Sequence, residues 1–140
     1  MQHAKGTSGA SLLEIDKLIQ NDLNVYIDKD LRRDIDYSKK MLSFWGYAFA
    51  YVKGGSFSKD NQANMANKFG EDMKGKLIKM VQSMGKDEAI TAVQKKLLES
   101  ISSYRIIAPN TAKKELNTQL MLIEEETNQK GFFNEIVRNI

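Results

Sequence analysis

The stretch Met41-Leu42-Ser43-Phe44-Trp45-Gly46-Tyr47-Ala48-Phe49-Ala50-Tyr51-Val52 carries no charge and is apolar on almost every side at helical spacing. At about 100° per residue, Leu31, Ile35, Leu42, Trp45 and Phe49 share one face. Phe44, Tyr47 and Tyr51 fall on nearly the opposite face, together with Arg33 and Lys40. A helix that is apolar all round is a helix buried all round. One neighbour cannot cover both sides. The chain must therefore enclose this helix with several others, or leave an aromatic patch for a partner.

The remaining sequence supplies the enclosing helices. Ser11 and Glu14 fit a capping box, and Leu12, Ile15, Ile19, Leu23 and Tyr26 predict a first helix over about 10–27. Asp30 caps the aromatic helix, which Gly54 and Gly55 stop at Lys53. A third helix starts at Ser58 or Asp60 and runs to Gly85, with Ala66, Phe69, Met73, Leu77, Met80 and Met84 on one face. Asp87 caps a fourth, where Ile90, Val93, Leu97, Ile101 and Tyr104 repeat the spacing. Ile106-Ile107-Ala108 reads as a packed segment turning extended before Pro109. Asn110 or Thr111 opens a fifth helix lined by Ala112, Leu116, Leu120 and Ile123. Gly131 breaks it, and 132–140 adds a short sixth. Met121 and Leu122 lie off the inner stripe of the fifth helix, as a second packing contact or part of an oligomer interface.

No strand-like alternation persists between turn signals. The expected fold is all-α, a single-domain bundle of five or six helices around an aromatic-rich central helix, with 1–8 as a flexible lead and 9–140 as the domain. A chain of 140 residues sustains such a core without a staple. With one proline, Pro109, little interrupts its helices.

Composition removes several kinds of chemistry. There are no cysteines, and the only histidine is His3, so thiolate metal sites and histidine-based nucleophile activation are excluded. No cofactor is expected. Gly70-Glu71-Asp72-Met73-Lys74-Gly75-Lys76-Leu77 fits most of a P-loop, but Leu77 stands where Ser or Thr must hold magnesium. Two glycines that allow close helix contact explain it better. Asp28, Asp30, Asp34 and Asp36 resemble the start of a calcium loop, yet Arg33 and Lys39 occupy the glycine and glutamate positions such a loop needs. The Ser-Xaa-Xaa-Lys runs at Ser56 and Ser83 lack the further motifs of acyl enzymes. No catalytic residues are assigned, and the chain is expected not to be an enzyme.

Two surfaces remain as candidates. Arg33, Lys40, Phe44, Tyr47 and Tyr51 form a partner-binding face, since aromatic residues and arginine are enriched among interface hot spots. Glu124, Glu125 and Glu126, at the C-terminal end of the fifth helix, oppose its dipole and form an acidic docking knob or a tolerated solvated face. The functional expectation is a non-catalytic protein-interaction module (adaptor, inhibitor, immunity-type or small structural subunit), binding another protein or a second copy of itself. The alternative is a nucleic-acid-binding accessory subunit that uses Arg33, Lys39, Lys40, Lys53, Lys68, Lys79 and Lys86 beside the aromatics. The net charge of +3, from 21 basic and 18 acidic residues, compels no polyanionic partner. Met41 to Val52 is far shorter than the roughly 20 residues of a membrane span, and the N-terminus lacks a secretory signal core. The expected location is the cytoplasm, or outside it by a route that leaves no recognisable signal.

Overall fold

The computed structural model describes residues 35–138, the side chain of Tyr37 excepted. Among these residues the chain forms six helices and no strand: α1 (Ile35–Lys53), α2 (Lys59–Phe69), α3 (Glu71–Met84), α4 (Lys86–Ile107), α5 (Ala112–Thr127) and α6 (Asn134–Arg138). The architecture is an all-α bundle. The expected first helix, the Asp30 cap, the aspartates before Asp36, and Arg33 lie outside the described residues. No helix among those described is long and apolar enough to cross a membrane.

Helix α1 is the centre of the bundle. Leu42, Phe44, Trp45, Tyr47, Ala48, Phe49, Ala50 and Tyr51 are all buried, so both of its faces are enclosed. It packs most extensively on α4 and also meets α5 and α2. Gly46 lets α5 approach, since a Cβ there would come within 2.6 Å of Ile123 Cδ1. Gly46 lies against Ile123, Tyr47 bonds Glu126 and the Ala50 carbonyl accepts from Gln129. These pairs advance together, so α1 and α5 run in the same sense. Helix α2 runs the opposite way, with Asn64 reaching Tyr51 and Phe69 reaching Tyr47 and Phe44.

Several boundaries differ from expectation for local reasons. The apolar spacing through Ala66, Phe69 and Met73 predicts one continuous third helix, but Gly70 at φ 100° splits it into α2 and α3. That conformation is open to glycine and strained for other residues. Gly75 meets nothing within 4 Å, so the two glycines do not serve a close helix contact. Helix α4 is capped by Gly85, with Asp87 inside its first turn. It continues helically through Ile106 and Ile107, because the restriction imposed by Pro109 falls on the residue just before it, Ala108, at φ −132°. Helix α5 ends at Thr127, earlier than Gly131. Asn128 adopts the left-handed conformation and returns its N–H to Glu124 and Glu125 carbonyls.

Candidate interaction surface

The aromatic face expected to meet a partner is instead part of the core. Phe44, Tyr47 and Tyr51 are 0%, 3% and 1% exposed. Helix α2 lies across them. The Phe69 ring packs edge-on against Phe44 at 5.2 Å between centroids, and against Tyr47 at 6.0 Å. Lys40, the described cation of the expected face, places its Nζ 5.4 Å from the Phe69 ring centroid. The structure thus gathers Lys40, Phe44, Tyr47 and Tyr51 beneath α2, where a partner cannot reach the rings. A mostly polar helix covers them because burying aromatic rings this large outweighs the cost of ordering α2.

The polar ends of the two tyrosines are satisfied inside the domain. Tyr51 Oη accepts from Asn64 Nδ2 at 2.8 Å. The Tyr47 hydroxyl donates to Glu126, whose other oxygen lies 3.0 Å from Lys68 Nζ. Lys68 also stands 4.9 Å from the centre of the Tyr47 ring. Burial, and then the hydrogen bond to Glu126, raise the Tyr47 pKa well above its ordinary value. The bond from Tyr47 lowers the Glu126 pKa, with Lys68 assisting against the opposing effect of burial. A phenol that resists ionisation beside a carboxylate that resists protonation is a structural pair.

The expected acidic knob is likewise divided. Glu124 is buried and accepts from the backbone N–H groups of Gly131 and Phe133 at 3.0 and 2.8 Å. This carboxylate fastens the turn that follows α5 to the end of that helix. Glu126 is engaged with Tyr47 and Lys68. Glu125 is exposed without such a role, so the three carboxylates stand in three different surroundings. Lys68, Lys79 and Lys86 are all exposed, as expected of an outer face, and Lys68 is in addition paired with Glu126.

What the surface does offer lies on α4 and α5. Among the described residues the exposed large hydrophobic side chains are Leu98, Ile106, Met121 and Leu122, and all four belong to these two helices. Ile106, 68% exposed, lines an open cleft of about 480 Å³ with Ser102, Arg105, Pro109, Ala112 and Lys113. This cleft sits where α4 turns into α5. Neither Arg105 nor Lys113 has an ion pair with another described residue. A second cleft, of about 400 Å³, lies between the end of α1 and the start of α4, lined by Phe57, Val81 and Lys86 among others. Among the described residues no carboxylate lines either cleft. Among the described residues no three His, Cys, Asp or Glu side chains are grouped to hold a metal ion.

The sequence did carry signals for the first cleft. Ile106 is out of step with the inner stripe Ile90, Val93, Leu97, Ile101 and Tyr104. Lys113 and Lys114 fall in the first turn of α5, after its Thr111 cap and Ala112, where positive charge opposes the helix dipole. Comparison with family models, with curated proteins and with solved structures finds no match to this chain.

Proposed function

We propose that the domain works non-catalytically by binding another protein, through the outward side of α4 and α5 at the end where the two helices join. The observation that carries this reading is Ile106, 68% exposed in an open cleft where α4 turns into α5, with the other exposed large apolar side chains among the described residues on the same two helices. An exposed hydrophobic standing alone on a surface is ordinary, whereas one set in a cleft beside polar groups has the make-up of a binding site. Leu98 and Ile106 are separated by eight positions, about 80° apart around α4, so one partner can span both. Covering an isoleucine side chain is worth about 1.5–3 kcal/mol, enough to anchor an interface whose rim is polar. Arg105, Lys113 and Lys114 set the orientation at that rim.

A photoreactive amino acid at position 106, compared with one at the exposed Lys79 position on α3, tests this in cells that make the protein. The reading expects one discrete protein crosslinked from position 106 and not from 79. A crosslink to the chain itself identifies a homodimer through the same face. Equal labelling from both positions, or none from 106, contradicts the reading. Arg105 and Lys113, which have no ion pair among the described residues, favour nucleic acid as the second reading. It predicts crosslinked nucleic acid that high salt strips away.

A further inference from the structure

We infer that the cleft between α4 and α5 receives an acidic protein segment, with an apolar side chain seated against Ile106 and Pro109 and carboxylates paired with Arg105 and Lys113. This rests on the protein-binding reading above and specifies the chemistry of the partner. The argument starts from Lys113. It occupies the first turn of α5, where a cation is disfavoured by the dipole, and no ion pair within the described structure compensates it. Glu115, in the same turn, is exposed and forms no ion pair with it. Arg105, in the last turn of α4, is well placed for its own helix but has no ion pair among the described residues either. Two exposed cations without an ion pair among the described residues thus line one cleft.

The rest of the lining decides what kind of anion fits. Ile106 and Pro109 present apolar surface between the cations, and Ala112 is buried behind them. A phosphate backbone gains nothing from an exposed isoleucine, and the cleft contains no aromatic ring on which a base can stack. A peptide that carries leucine or a similar side chain beside aspartate or glutamate uses every feature of the lining. The planar Arg105 guanidinium can take a carboxylate in two parallel hydrogen bonds, and Lys113 adds a point charge.

Fluorescence anisotropy with purified full-length protein tests the assignment. The probe is a short labelled peptide in which leucines alternate with aspartates. The comparison ligands are its leucine–asparagine counterpart, a poly-aspartate of equal length and a single-stranded oligonucleotide of equal charge. The alternating peptide should bind at least about tenfold more tightly than each of the others, a difference of about 1.4 kcal/mol. Arg105→Glu, Lys113→Glu and Ile106→Asp should each weaken it by about that factor. Lys113→Glu leaves the melting temperature unchanged or raises it, while the other two, which put negative charge into the last turn of α4, lower it slightly without unfolding the domain. Binding that survives the two charge reversals overturns the proposal, as does a preference for the oligonucleotide that ignores Ile106→Asp. If no probe binds while position 106 still crosslinks a protein, the acidic occupant is wrong and the protein-binding reading stands. If both experiments fail, both fall.

Discussion

Tyr47 donates its phenolic hydrogen to the carboxylate of Glu126, tying the middle of the central helix to the last turn of α5. Lys68 of α2 completes the contact, so three helices meet at one hydrogen-bonded group. Tyr47→Phe keeps the ring and removes only that bond. A hydrogen bond to a charged group is worth about 1.5–3 kcal/mol, and Glu126 keeps Lys68 and some solvent, so a loss of about 1.5 kcal/mol is expected. Tyr47→Ala also empties a site in the core and should cost about 3–5 kcal/mol by the measure of other aromatic truncations. Urea denaturation of the two variants separates these values.

The same pair gives stability a defined pH dependence. Glu126 has a folded pKa below its ordinary 4.5. Its contribution is present above that ordinary value and is lost as pH falls through the folded one. Tyr47 behaves in the opposite sense. Its folded pKa is raised above 10.0, so its contribution is complete below pH 10 and is lost as pH rises from there toward the folded value. Glu126→Gln should flatten the acid limb of a stability–pH curve and only reduce the alkaline one, because burial of Tyr47, the larger cause there, remains. Unchanged limbs would show that other groups set them.

Gly46 and Ile123 form a close contact that a methyl group would enter. Gly46→Ala improves helix propensity by about 1 kcal/mol but overpacks by about 1–3 kcal/mol. Ile123→Val removes the Cδ1 atom that obstructs it. The double variant should therefore be more stable than the sum of the two single effects by about 1 kcal/mol. Strict additivity in chemical denaturation would contradict the contact.

Glu124 holds two backbone amides of the segment after α5. Glu124→Ala leaves the Gly131 and Phe133 N–H groups without their acceptor. At about 1–3 kcal/mol for each unsatisfied donor, and with water reaching Gly131 more easily, a loss of about 2–4 kcal/mol is expected. Hydrogen exchange should show Phe133 and α6 opening before the core of α1. Global loss of protection in a single step would show that α6 is not a separately released unit.

Lys113→Glu replaces a cation in the first turn of α5 by an anion, and should stabilise the domain by about 0.3–1 kcal/mol while weakening the partner. A residue kept only for structure gives losses of both kinds together. Thermal melts beside binding curves distinguish the two patterns.

Much of the fold was legible because α1 is apolar on both faces, and only a central position satisfies such a helix. The covering of Phe44, Tyr47 and Tyr51 by α2 was not legible. Periodicity identifies the inner face of each helix but not the neighbour it meets, and α2 buries little of its own besides Met65. The break at Gly70 was hidden because the three-and-four spacing runs across it unaltered. Glu124 and Glu126 read as a surface run because adjacent glutamates give no sign that one faces a backbone turn and another a phenol. Ile106 was expected to pack. Its exposure follows from the helix continuing past Arg105, which turns the side chain off the inner stripe.

The most direct test of the proposed surface is the crosslinking yield from a photoreactive residue at the exposed Ser102 position, which lines the same cleft as Ile106, in otherwise unchanged protein and in the Ile106→Asp and Tyr47→Phe variants. The account predicts that Ile106→Asp abolishes the crosslink while the protein stays folded with only a slightly lower melting temperature, and that Tyr47→Phe keeps it despite a larger loss of stability. A crosslink that persists in Ile106→Asp and disappears in folded Tyr47→Phe would return the binding surface to the aromatic face of α1.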